Sequence, residues 1–133
     1  VTRLNTEQAT ATILIVDDDE AVTKTFARML KLEGFDVWTA VNPEIGLQVA
    51  GETQPQAIIL DLRMPLLDGV GFLRRLRTLE AHRDTPVAIV TGDYQLEESI
   101  TNEVRELGAE LRYKPMWLDD LLALARDLLK ETN

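Results

Sequence analysis

Short apolar runs rich in β-branched residues alternate with longer segments whose apolar positions recur every three or four residues, and the alternation repeats five times after Thr10. Thr12 to Val16 (TILIV) is continuously apolar, as in a strand buried on both faces. Behind it Val22, Phe26, Met29 and Leu30 share one helical face, and Gly34 is placed to stop that helix. Phe35 to Ala40 predicts a weaker second strand. Asn42, Pro43 and Glu44 then offer a cap, a first-turn proline and a first-turn acid to a short helix running towards Gly51. Ala57 to Leu60 (AIIL) predicts a third strand ending in Asp61, and Phe72, Leu73 and Leu76 a third helix. Pro86 to Val90 (PVAIV) predicts a fourth strand ending in Thr91. Leu96, Ile100, Val104 and Leu107 predict the next helix, closed by Gly108. A short strand around Leu111 follows, and Leu118, Leu121, Leu122, Ala125, Leu128 and Leu129 stripe a last helix. This order of elements predicts an α/β fold around a parallel sheet, with the apolar stripes as its core.

Composition narrows the picture. At 133 residues the chain has room for one domain, read here as residues 12–133 behind a flexible lead-in over residues 1–11. The sequence begins without Met, as a trimmed chain would. There is no cysteine, which excludes disulfides, thiolate metal sites and a cysteine nucleophile and suits a cytoplasmic location. A net charge of -9 opposes direct contact with nucleic acid or an anionic membrane, so the partners are expected to be proteins. No apolar run approaches the length of a membrane span, and Val1 to Ala11 lacks the apolar core of a signal peptide.

In an open parallel sheet, ligands bind beyond the carboxyl ends of the strands, so the polar residues that follow each apolar run matter most. They are Asp17, Asp18 and Asp19 after the first strand, Asp61 after the third, Thr91 after the fourth and Lys114 after the fifth. Carboxylates gathered at one edge repel one another until they take up protons or a cation. A hard divalent ion such as Mg²⁺ fits an all-oxygen set, and no His or Cys is near to attract zinc or copper. Lys114 and Thr91 add an ammonium and a hydroxyl suited to phosphoryl oxygens. Taken singly, each acid is equally a helix cap or a solvated side chain; the joint pattern at four strand ends outweighs that reading.

The runs ILIVDDDE, IILDLRMPLLDG, VAIVTGD and YKP resemble the signature segments of response-regulator receiver domains, in order and over nearly the whole chain. The resemblance implies a flavodoxin-like five-stranded parallel sheet in order 2-1-3-4-5, with helices on both faces. It also implies that Asp61 is the phosphorylated aspartate, that Asp18 ligates Mg²⁺ directly, that Asp17 holds metal-bound water, and that the backbone carbonyl of Arg63 completes the protein ligands. Thr91 and Lys114 would bind the phosphoryl group. Such a chain takes that group from a histidine kinase or phosphotransfer protein and passes the signal to an output domain or protein, catalysing only its own phosphorylation and dephosphorylation. A cis Lys114-Pro115 bond is implied as well, and Arg63 and Asp93 are expected to pair across the site mouth.

Two rivals remain at this stage: a magnesium phosphohydrolase of the haloacid-dehalogenase type, for which Asp17 and Asp19 have the D-x-D spacing, and a receiver-like module that is never phosphorylated. Outside the site, His82 is expected to be a solvated loop residue and Trp117 either a partner surface or packed on the last helix. Trp38 and Tyr94 read as structural or peripheral. Met64-Pro65 and Asp68-Gly69 suit a tight loop, and Asp119 and Asp120 suit the first turn of the last helix. One departure stands out: family members usually carry Tyr or Phe three residues before the lysine, where this chain has Leu111. The segment from Gly108 to Lys114 is one residue short of the family pattern, and Tyr113 is expected to face opposite to Leu111 and not to replace the missing aromatic. Phosphorylation would then be reported mainly by displacement of the loop and the fourth helix.

Overall fold

A computed structural model describes residues 10–64 and 66–130, so most of the lead-in and Pro65 of the Met64-Pro65 pair lie outside the described residues. Five parallel strands, β1 (Thr12–Val16), β2 (Asp36–Ala40), β3 (Ala57–Asp61), β4 (Val87–Thr91) and β5 (Ala109–Tyr113), form one sheet in the order β2-β1-β3-β4-β5, as expected. Between and after them run α1 (Glu20–Leu32), α2 (Pro43–Thr53), α3 (Gly69–Thr78), α4 (Glu98–Glu106) and α5 (Leu118–Lys130).

Strand alternation divides the apolar residues into two cores. Ile13, Ile15, Ala57, Ile59, Ala88 and Val90 face one side, where they meet Ala27 and Leu30 of α1 and Leu121, Leu124, Ala125 and Leu128 of α5. Leu14, Val16, Ile58, Leu60, Val87 and Ile89 face the other, against Ala50 of α2, Phe72, Leu73 and Leu76 of α3, and Val104 of α4. β1, β3 and β4 are therefore covered on both faces, which is why their sequences read as unbroken apolar runs. Truncating one of the fully buried residues, Leu14 or Leu73, would cost about 2–5 kcal/mol.

Local chemistry accounts for the helix ends. The Asp19 carboxylate accepts from the N–H groups of Ala21 and Val22 and caps α1; Asn42 and Asp68 do the same for α2 and α3. Gly34, at φ 98°, turns the chain after α1 in a conformation other residues avoid. Two expectations need adjusting. Gly51 does not end α2, which runs to Thr53 because Gln54 takes the left-handed turn at φ 53°. The helical spacing from Leu96 overshoots, since α4 begins at Glu98.

The largest correction concerns His82. Its ring is 1% exposed: Nδ1 lies 2.7 Å from Thr85 Oγ1 and Nε2 lies 2.8 Å from the Ala50 carbonyl oxygen. A carbonyl only accepts, so Nε2 carries the proton and Nδ1 accepts from the hydroxyl. A polar stretch of sequence became a buried plug because the short 3-10 turn Glu80–His82 folds the ring back against the end of α2.

Candidate functional site

Strand parity builds the site. The pleat facing α1 and α5 carries Ile15 in β1 and Ile59 in β3; its next positions, at the carboxyl ends, are Asp17 and Asp61. In β5 the same pleat carries Arg112, which reaches Asp127 of α5, and its next position is Lys114. Three strands thus deliver two carboxylates and one ammonium to one spot. Lys114 Nζ lies 3.2 Å from Asp61 Oδ1 and 3.9 Å from Asp17 Oδ2. Asp18, exposed beside them, joins Asp17 and Asp61 in a group whose ligand oxygens lie within 4.8 Å of one another, an arrangement that can hold a metal ion.

The site is short of positive charge. Burial pushes the Asp61 carboxyl above its ordinary value, and the Lys114 ammonium pulls only part of the way back. Burial likewise raises Asp17, opposed by the Asp19 N–H that its Oδ1 accepts at 2.9 Å and reinforced by the charge of Asp61. One lysine does not balance these acids. A cation or a proton would, and an all-oxygen set of hard donors fits Mg²⁺ rather than a thiophilic metal. Asp19 is not a member of this group; its carboxylate is occupied in capping α1. Behind Asp61, Gly69 leaves room for the strand end: a Cβ there would sit 2.7 Å from the Asp61 carbonyl oxygen. A tight loop was legible in Asp68-Gly69; this close approach was not.

Around the mouth, the Thr91 hydroxyl is buried and accepts from the Asp93 N–H at 3.0 Å. The Arg63 guanidinium meets the Asp93 carboxylate at 2.7 Å, the expected pair. The Gln95 N–H, which its carboxylate accepts, and then the Arg63 contact hold the Asp93 carboxyl below its ordinary value. The Lys114-Pro115 bond is cis, as expected. Trp117 is 69% exposed and so is not buried against α5, and Trp38 is half exposed on β2.

Tyr113 requires correction. Residues two apart in a strand share a face, so Tyr113 lies on the Leu111 side, not opposite to it. Leu111 packs against the core that contains Ile89, while Tyr113 stands in register with Thr91 and stacks its exposed ring on Tyr94. The Tyr94 hydroxyl donates to the Lys114 carbonyl, a tie that no periodicity signals.

Comparison with known proteins follows the same lines. The family model for the response regulator receiver domain matches residues 13–126. The transcriptional regulatory protein PrrA of Mycobacterium leprae is 35% identical over 128 residues, 96% of this chain and 53% of the relative. The DNA-binding dual master transcriptional regulator RpaA of Synechocystis is 36% identical over 122 residues, 91% of this chain and 50% of the relative. The chain spans about half the length of these curated relatives. Among solved structures, the chemotaxis protein CheY4 of Vibrio cholerae superposes with a TM-score of 0.83 at 26% identity, covering 91% of this chain and 100% of that one.

Proposed function

The chain belongs to the response-regulator receiver family, and from that membership we propose that it accepts a phosphoryl group on Asp61 and alters its surface for a downstream partner. One observation carries the reading: the Asp61 carboxylate lies 3.2 Å from the Lys114 ammonium and beside two further carboxylates. This is a nucleophile with a fixed cation on one side and cation-attracting oxygens on the other.

The donor is a phosphohistidine on a partner histidine kinase or phosphotransfer protein. An Asp61 oxygen attacks phosphorus, the phosphorus–nitrogen bond breaks, and the imidazole leaves neutral with a proton on its other nitrogen. Lys114 takes one phosphoryl oxygen. The Thr91 hydroxyl turns from the Asp93 N–H to donate to another. Asp17, Asp18, Asp61 and the Arg63 carbonyl would hold Mg²⁺, which supplies charge neutralisation for the phosphoryl oxygens when bound. The acyl phosphate brings close to two negative charges to the edge of β4 and β5, biasing the loop before α4. Catalysis is confined to the domain's own phosphorylation and dephosphorylation, in a cytoplasmic phosphorelay, and the output lies in a further domain or protein of the kind the transcriptional relatives' names describe. The hydrolase rival loses support from Asp19, the second acid of its motif, which is engaged as a helix cap.

Incubation with acetyl phosphate and Mg²⁺ tests the reading. Intact-mass analysis should show one added phosphoryl group on the parent and none on Asp61→Asn. Labelling that survives the substitution, or steady turnover of small phosphate esters, would overturn it.

A further inference from the structure

Lys114 is tied to the segment after β4 through both of its backbone polar groups. Its N–H donates to the Thr91 carbonyl oxygen at 2.8 Å, and its carbonyl accepts from the Tyr94 hydroxyl. The Tyr94 ring also stacks on Tyr113, the residue before Lys114, with centroids 5.3 Å apart and planes at 21°. Only Gly92 and Asp93 separate Thr91 from Tyr94, so the chain leaves β4, turns, and is fastened to the end of β5 within three residues. Asp93 stiffens the turn, its N–H on Thr91 Oγ1 at 3.0 Å and its carboxylate on the Gln95 N–H at 2.9 Å. An exposed tyrosine pair is ordinarily surface packing. Here, however, one hydroxyl is engaged with the backbone of the residue whose ammonium reaches Asp61.

We infer that Tyr94 is a positioning residue of the phosphoryl site, joining the Thr91 loop and Lys114 into one mechanical unit; this rests on the phosphoryl-acceptor reading above. Thr91 and Lys114 come from different strands and must meet the same ligand. When the Thr91 hydroxyl turns towards a phosphoryl oxygen, the loop moves with it. Tyr94 carries the Lys114 main chain along, so hydroxyl and amine arrive together. Fixing two ligand-binding groups relative to one another reduces the ordering cost of binding. Tyr113 supplies the platform for the ring and needs no hydroxyl, which has no hydrogen-bond partner among the described residues.

The probe is beryllofluoride with Mg²⁺, titrated on the full chain and followed by fluorine NMR, beside a separate Mg²⁺ titration without it. Tyr94→Phe keeps the stack and removes one hydrogen bond; Tyr113→Phe is the control. Tyr94→Phe should weaken beryllofluoride binding about five-fold, the scale of one neutral hydrogen bond, with Mg²⁺ affinity and the Tyr113→Phe protein unchanged. Equal beryllofluoride affinity in Tyr94→Phe and the parent overturns the inference and leaves the acceptor reading intact. An equal loss of Mg²⁺ affinity overturns it too, by showing general loosening. A parent protein that takes up no beryllofluoride refutes the acceptor reading itself, and the inference falls with it.

Discussion

The two ends of the sheet both contain polar side chains away from water, and they treat them oppositely. At the amino-terminal end His82 has a partner on each ring nitrogen, and the half-buried Arg77 donates to the carbonyl oxygens of Leu107, His82 and Thr85, each at 2.8 Å. Both ring nitrogens and three of the guanidinium N–H groups there meet close partners. At the carboxyl-terminal end Asp17 and Asp61 are buried to a similar degree with one lysine between them. Satisfied polar groups hold a fold together; groups left short of charge are held ready for a ligand. Burial alone therefore says little about function, and the balance of partners says a great deal.

If the amino-terminal cluster is purely structural, breaking it should cost stability and spare chemistry. Arg77→Ala strands three carbonyls that join α3 to the loops before β4 and β5, and should lower stability by about 3 kcal/mol in denaturant titrations. The folded fraction should still take phosphate from acetyl phosphate at the parent rate. Loss of labelling out of proportion to unfolding would mean that the two ends communicate.

The carboxyl-terminal end should respond with the opposite sign. A buried carboxylate without enough counter-charge opposes folding, so Asp17→Asn should raise the metal-free melting temperature by about 4 °C, or roughly 1 kcal/mol. The pH dependence follows from the raised pKa of Asp17 and Asp61. Each holds its proton more tightly folded than unfolded, so the stability these two groups contribute in chelator should be fully present below the ordinary value of 3.8, be lost as pH rises through their folded values, and stay absent above them. Mg²⁺ at neutral pH should restore the loss in the parent and do less in Asp17→Asn. A melting temperature that is lower in Asp17→Asn than in the parent without metal would remove the contrast between the two ends.

The smallest effect on stability belongs to the bridge between Arg63 and Asp93. Both side chains are partly exposed, so Arg63→Ala, which breaks the bridge and leaves the Asp93 contact with the Gln95 N–H in place, should change stability by no more than about 0.5 kcal/mol. Their bridge nevertheless spans the mouth of the site, and its removal should speed loss of the phosphoryl group several-fold. Equal dephosphorylation rates would reduce the pair to surface decoration.

How much of this was legible beforehand depends on whether a residue's role is local or set by packing. Strands β1, β3 and β4 announced themselves as apolar runs, and the residues at their carboxyl ends followed from sheet topology. Caps such as Asp19 and Asn42 act within three residues and were equally readable. His82 was not, because only the packing of its turn against Ala50 makes it interior. Tyr94 looked peripheral because its partner, the Lys114 carbonyl, lies twenty residues on, just past the end of β5. The side on which Tyr113 lies was legible in full, since a strand period of two puts it beside Leu111.

Peptide mapping by tandem mass spectrometry, after acetyl phosphate and Mg²⁺ treatment of the unmutated chain, tests the assignment of the acceptor most directly. A single modified residue, Asp61, is the predicted result. Phosphate on Asp17, Asp18 or Asp19 would contradict it, because those carboxylates could not then be the cation-binding half of the site.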